Sequence, residues 1–369
     1  MTLAANVPKK DDGGWRRMYT AQYPMPVLDP HALIDDRVQA IVAYHQACGL
    51  QRAELDVSGG IDSAVLAGLL VLALGPENLT LVYSSIHSGD ASRERAEELV
   101  AAIGAKLIVH DLTGVYDAML VDMRANLEAV GFDREEIDAR IEKDGRVLGS
   151  IRSCLRAPLG RGYLRLTGPG VRHGTGNECE DRWLRFFQKG GDGEVDTNPI
   201  AMLSKGEVFQ LAKALGERLG AEAAYRGIIT VAPTPELWGR EHAHTDEEEI
   251  SDYLGLTGHG ETFYSYIDPD TGSYARVGMI ERVARFADSP RGTGLFEDSA
   301  DEARGEARIV ALIDRALDAP AMAGLDEALI AALLRAARRA ERASRHKMNP
   351  NCPTLGTRAD LDMLTDELP

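Results

Sequence analysis

The run Ser58-Gly59-Gly60-Ile61-Asp62-Ser63 constrains this chain more than any other stretch of its length. It follows a short strand, Ala53 to Val57, and opens an apolar helix from about Asp62 to Leu74, which Gly75-Pro76 stops. The adjacent glycines let backbone N–H groups curl around an oxyanion with no Cβ in the way. The helix N-terminus adds its partial positive charge. Ser58 and Ser63 bring hydroxyl donors, and Asp62, a carboxylate set among phosphates, makes chemical sense as a magnesium ligand. The run is not the Walker pattern G-x-x-x-x-G-K-[ST], so it is a phosphate loop of another kind. Capping of the following helix is the plain structural use of the same residues. The strand-turn-helix context favours phosphate binding.

The elements around this turn alternate. Leu79 to Ile86 reads as a buried strand, Arg93 to Ile103 as a helix and Lys106 to His110 as a third strand, with a helix over Pro30 to Cys48 before them. That order implies an α/β fold with a doubly wound parallel sheet, whose ligands lie beyond the carboxyl ends of the strands. A helical stretch follows Asp111. Ser150 to Thr175, interrupted by Pro158, Gly160, Gly162, Gly168, Pro169 and Gly170, predicts a loop-rich segment that covers substrate. Helices are predicted over Asp181 to Lys189 and Lys205 to Leu219, and the acidic run Thr245 to Ser251 reads as a solvated helix start. The chain thus divides into an N-terminal arm (1–28), a catalytic domain (29–258), a mixed, mainly helical insertion (259–345) and a C-terminal tail (346–369).

A net charge of -17 argues against nucleic acid and anionic membrane as partners. The four cysteines form no zinc-type spacing and fit a reducing cytoplasm. No signal peptide and no apolar run long enough for a membrane span are seen.

The loop resembles the PP-loop of the N-type ATP pyrophosphatases, the adenine nucleotide alpha hydrolase-like group that includes NAD, GMP and asparagine synthetases and some tRNA-modifying enzymes. A second constellation narrows this: Gly174-Thr175-Gly176-Asn177, Glu180-Asp181, Phe186-Phe187-Gln188-Lys189-Gly190-Gly191-Asp192, then Asp196, Pro199-Ile200, Lys205 and Val208. It is similar to the NAD synthetase signature, and Arg345-His346-Lys347 is similar to that family's C-terminal His-Lys. Cleaving ATP between its α and β phosphates builds charge on pyrophosphate, which calls for a carboxylate-held metal and a lysine. Asp62 with Glu180 or Asp181 supplies the first and Lys205 the second, while Thr175 is placed as another phosphate-contacting hydroxyl. Counting from Gly174-Thr175 selects Glu180, and counting back from Phe186-Phe187 selects Asp181.

The resemblance implies ATP and Mg2+ as substrate and cofactor, attack of a carboxylate on the α-phosphate, and conversion of the acyl-adenylate to an amide by ammonia. It places Asp192 at the ammonium site, Arg156, Asp196, His346 and Lys347 on the nucleotide substrate, and the acceptor site across a homodimer. Only 57 residues precede Ser58, too few for a nitrilase-like domain. Free ammonia or a separate glutaminase is therefore the expected source. The expected reaction is that of an ammonia-dependent NAD synthetase acting on deamido-NAD.

The match departs at the acceptor. The family's Asn-Ile-x-Ala-Arg-x-Arg appears as Ser150-Ile151-Arg152-Ser153-Cys154-Leu155-Arg156, so one of two arginines survives. Pro233-Thr234-Pro235-Glu236-Leu237 and Asp246-Glu247-Glu248-Glu249 resemble a family loop, after which the chain carries extra length. An amide-forming ligase for another carboxylate, and an ATP-binding regulatory protein without turnover, are the alternatives. Phe186 and Phe187 are expected, with Trp183, as helix core. Cys154 and Cys179 are expected to be inert.

Overall fold

The computed structural model describes residues 29–144, 146–232, 245–256, 262–297 and 302–348. The arm 1–28, the stretch Pro233 to Leu237 and the tail beyond Met348 lie outside the described residues. Helix α1 (Pro30–Cys48) starts on Asp29, whose carboxylate accepts the His31 N–H, and stops at Gly49 with φ 66°. It leads into β1 (Arg52–Asp56), α2 (Ile61–Leu74), β2 (Leu79–Ser85), α3 (Asp90–Ala102) and β3 (Leu107–Asp111). Strand β4 (Gly170–His173) completes a parallel four-stranded sheet in the order β3-β2-β1-β4. The predicted doubly wound sheet is therefore present.

This strand order positions the site. The chain steps outward from β1 through β2 to β3, then returns to pair β4 on the other flank of β1, with Leu55 opposite His173. The direction of winding reverses at the β1/β4 pair, where a crevice opens beyond the strand ends. Ser58 follows β1 and Thr175 follows β4, so the topology brings the two together. Between β3 and β4 run α4 (Thr113–Ala129), α5 (Arg134–Lys143) and α6 (Arg146–Thr167).

Helix α6 corrects the expectation of a loop-rich segment over Ser150 to Thr175. Pro158 sits inside the helix, and the chain leaves it only at Gly168. Ile151, Leu155 and Leu159 recur every four residues and pack against buried Ile86, Leu112 and Tyr116. That burial outweighs the N–H that proline removes. Gly160 has a packing reason: a Cβ there would fall 1.6 Å from Nη1 of Arg172. Arg172, 3% exposed, pairs with Glu54 at 2.6 Å and Asp56 at 2.5 Å, tying β4 to β1.

Beyond β4 come a single helical turn, α7 (Glu178–Asp181), then α8 (Lys205–Leu219), α9 (Glu222–Ile229) and α10 (Asp246–Leu254). The helix expected over Asp181 to Lys189 is therefore a turn that ends at Asp181, followed by irregular chain; Arg185 adopts φ 48°. Strands β5 (Tyr266–Ile267) and β6 (Tyr274–Arg276) form a small hairpin, and α11 (Met279–Asp288), α12 (Glu302–Leu317) and α13 (Glu327–Ser344) make the helical C-terminal region. Two large apolar cores result. One gathers the sheet with α1, α2, α8 and α9. The other joins α10 to α13 with Cys179, Trp183 and Leu184. Among the described residues, no helix is long and apolar enough to cross a membrane.

Candidate active site

The phosphate loop owes its shape to close contact and internal bonding. Gly59 has φ 78°, and a Cβ there would lie 2.2 Å from the Ser92 carbonyl oxygen, so glycine is required. The Ser58 N–H donates to Ser63 Oγ at 3.2 Å, Ser63 Oγ donates to the Gly60 carbonyl at 3.0 Å, and the Gly60 N–H donates to Ser58 Oγ at 3.2 Å. Ser63 is 2% exposed and does not face the cavity. Its hydroxyl braces the loop from behind. Ser58, Gly59, Gly60 and Asp62 line a cavity of about 490 Å3.

Behind that wall sits Lys205, 1% exposed, in the first turn of α8. A cation there opposes the helix dipole. Three carboxylates more than offset this: Nζ donates to Asp62 at 2.7 Å and Glu180 at 3.0 Å and lies 3.9 Å from Asp246. The ring of buried Tyr264 lies 5.2 Å away. Burial alone would lower the lysine's pKa, but Asp62, Glu180 and Asp246 hold it well above the ordinary value. Burial pushes Glu180 up to about 8 against the pull of Lys205, and Asp246 up to about 6 in the same way. Asn177, fully buried, donates from Nδ2 to the other oxygen of Asp62 at 2.9 Å.

The two acidic neighbours part company here. Glu180 lines the cavity beside Asp62. Asp181 lies under Gly176, accepts from Asn198 Nδ2 at 3.0 Å and does not line the cavity. The donor set suits magnesium: two hard carboxylates share one lysine, and a third lies nearby. Among the described residues no group of three or more His, Cys, Asp or Glu side chains is placed to hold a metal ion, and magnesium there would complete its six ligands with water and phosphate oxygens.

The cavity's other residues come from more distant parts of the chain. Asp192 Oδ1 accepts from Ser153 Oγ at 2.7 Å and from the Gln188 N–H at 2.8 Å. Ser150 Oγ donates to Gln188 Oε1 at 2.6 Å, binding the same loop to α6. Thr175 and Arg156 line the cavity. So does Lys347, whose Nζ donates to the carbonyls of Arg185 at 2.8 Å and Phe187 at 2.6 Å; burial lowers its pKa while Asp192 opposes that shift.

Other expected residues lie elsewhere. Asp196 is gripped by both Nη atoms of Arg161, at 2.8 and 2.9 Å, and accepts the Arg172 N–H; it does not line the cavity. His346 is exposed and also off the cavity. Phe186 and Phe187, expected as helix core, line the cavity because α7 ends before them. Trp183 is buried as expected, in the second core. Cys179 is buried and burial raises its pKa, as it does for Cys154, where Asp192 adds to the effect.

The acidic start of α10 is corrected from a solvated end to a wall of the site, since Asp246 and Glu249 both line the cavity. A capping box at Thr245 and Glu248 fixes that end of the helix. The box was legible in Thr245-x-x-Glu248, but the burial was not. Asn177 stood in the quoted motif without a role. Tyr264 had no local signal, for it arrives from a remote segment.

The NAD synthase family model matches residues 33–258, more than half of the chain. The chain is 31% identical over 210 residues to the NH(3)-dependent NAD(+) synthetase of Methanococcoides burtonii, covering 56% of this chain and 68% of that protein. It is 28% identical over 267 residues to the NH(3)-dependent NAD(+) synthetase of Methanopyrus kandleri, covering 71% and 84%. A solved structure titled NMN synthetase, from Francisella tularensis, shares the fold at 20% identity, with a TM-score of 0.57 over 90% of this chain and 100% of that one. The phosphate loop, the paired carboxylates and these relatives lead to one conclusion: the chain belongs to the NAD synthase family of ATP-dependent, amide-forming ligases.

Proposed function

We propose that this enzyme adenylates the carboxylate of deamido-NAD with ATP and amidates it with ammonia, releasing AMP and pyrophosphate. The observation that carries the reading is a single cavity lined by the phosphate loop, Asp62 and Glu180 together with Asp192, Arg156 and Lys347. A substrate carboxylate oxygen attacks the α-phosphorus and pyrophosphate leaves; ammonia then attacks the acyl carbon and AMP leaves. The loop N–H groups, Ser58 and Thr175 bind phosphate oxygens. Asp62 and Glu180 would hold magnesium, which would offset the charge gathering on pyrophosphate. Lys205 keeps these carboxylates in place from behind. Asp192 has Oδ1 occupied by Ser153 and Gln188, which leaves Oδ2 to hold ammonium; one ammonium proton passes to solvent before attack and a second as the amide forms. Arg156 and Lys347 bind the acceptor nucleotide.

The test is formation of NAD from deamido-NAD, ATP and ammonium, with one AMP and one pyrophosphate per turnover. Pyrophosphate release with another carboxylate and none with deamido-NAD rejects the acceptor and keeps the mechanism. A second reading, an amide ligase for a smaller carboxylate, is favoured by Cys154, which replaces an arginine of the family pattern beside Ser153 and Asp192. Nicotinate mononucleotide, which lacks the adenylate half of deamido-NAD, is the acceptor to compare. No pyrophosphate release with any acceptor points instead to the regulatory alternative.

The proposal extends to assembly. Val121 is 66% exposed, Val130 75% and Phe132 54%, three exposed apolar side chains on and after α4, and we propose that Val121 lies at an interface with a second copy of the chain. A homodimer, measured by light scattering, is expected to dissociate in Val121→Asp. We assign 29–258 to catalysis and 259–345 to a helical insertion. Free ammonia is the nitrogen source in the chain by itself, with a separate glutaminase as the alternative supplier.

A further inference from the structure

Lys205 does not face the cavity: it lies behind the wall, held by Asp62, Glu180 and Asp246. With one ammonium among three carboxylates, this corner carries surplus negative charge. A leaving pyrophosphate would gain, beside magnesium, from a cation on the cavity side of the loop. The side chain in position is Arg95, on α3. It is half-buried, lines the cavity, and donates from Nε to the carbonyl of Gly59, in the middle of the phosphate loop, at 3.1 Å. Its placement follows from packing, since α3 presses on the loop where the Ser92 carbonyl meets Gly59. Tyr83 fixes that turn of α3 through Ser92 Oγ at 2.8 Å.

The charge environment of Arg95 differs from that of other arginines in this acidic chain. Arg161, Arg172 and Arg182 each grip two carboxylates. Arg93, two residues earlier on α3, lies near Asp90 and Glu97. Arg95 makes no ion pair recorded among the described residues, and its bond to Gly59 uses Nε alone, which leaves the two Nη groups as donors. A planar guanidinium tethered beside a phosphate loop is suited to grip two oxygens of one phosphate.

We propose that Arg95 is a pyrophosphate-binding residue that contacts the β and γ phosphates of ATP and retains contact as pyrophosphate departs. This rests on the phosphate-loop reading above. The bond that breaks is the α-phosphorus to bridging-oxygen bond, and the electron pair goes to the pyrophosphate that Arg95 holds; no proton transfer is assigned to it.

The experiment titrates inorganic pyrophosphate, with magnesium, into the full-length wild-type protein and into Arg95→Ala, Arg95→Gln and Arg95→Lys, by calorimetry. Loss of charge-assisted bonds to phosphate predicts a Kd raised roughly tenfold or more in Ala and Gln, partly restored in Lys. In turnover, ATP KM rises while acceptor KM stays level. Gln is the control for a bracing role, since its amide can still donate to the Gly59 carbonyl without charge. Wild-type affinity in Arg95→Gln, or in Arg95→Ala with an unchanged melting temperature, overturns the proposal. If the wild-type protein itself takes no pyrophosphate, the phosphate-loop reading falls and this inference with it.

Discussion

The proposed nucleotide half and the proposed acceptor half of the cavity are built by different means. The nucleotide half is mostly backbone: a glycine turn between β1 and α2, closed by its own serines and pressed against α3. The acceptor half is mostly side chains from distant segments, with Ser153 of α6 holding Asp192 and Lys347 reaching in from beyond α13. A short run of chain dictates the first arrangement. Packing among helices far apart in sequence dictates the second. A half made of backbone tolerates little change, whereas one made of side chains can be respecified one residue at a time.

Substitutions at the carboxylate centre test the nucleotide half most severely. Asp62→Asn is expected to lower pyrophosphate release on the order of a thousandfold with any acceptor, with the fold intact by circular dichroism. Lys205→Ala should be inactive and also unstable: leaving buried carboxylates without their cation costs about 3 to 5 kcal/mol, read from urea denaturation. Glu180→Gln is expected to approach Asp62→Asn in severity, on the order of a hundredfold loss. Asp181→Asn should stay within a few-fold of wild type, and a larger loss there reverses the assignment between the two.

These outcomes bear on what the chain made readable. The loop, the Lys205 helix and the α/β order follow from local pattern, because glycine turns and helical periodicity are written in adjacent residues. Counting along the sequence left Glu180 and Asp181 equal; the turn of α7 separates them, aiming one carboxylate at Lys205 and the other beneath Gly176. Helix α6 was misread because Pro158 and its glycines spoke against a helix locally, while Ile151, Leu155 and Leu159 carried the signal at longer spacing. Asp246 looked solvated because an acidic run is usually so. Only the approach of α10 to Lys205 buries it.

In the acceptor half the expected effects are smaller and selective. Arg156→Ala should raise acceptor KM about tenfold, the scale of one lost charge-assisted bond, and leave ATP KM unchanged. Ser153→Ala should raise ammonium KM several-fold for the same reason, since Asp192 loses one of its two bonds. A matching rise in ATP KM in either variant breaks the division into halves.

The smallest effect is on pH dependence. The folded pKa of Glu180 is raised above its unfolded value, so the folded protein binds more protons between about pH 4.5 and 8. The metal-free protein should therefore gain a few degrees in melting temperature as pH falls from about 8 to 6, at up to about 1.4 kcal/mol per pH unit. Magnesium should stabilise more at pH 8 than at pH 6. The opposite slope shows that Glu180 is held ionised by Lys205.

The two apolar cores give the active site a separable lifetime. Asp246, Tyr264 and Lys347 all hang from segments of the second core, whereas the phosphate loop hangs from the first. A transient opening of α10 to α13 removes all three at once and leaves the loop and its sheet folded. Amide hydrogens of α13 therefore report how long the assembled catalytic centre lasts. Their exchange should slow on nucleotide binding while those of β1, already sealed, stay as they were.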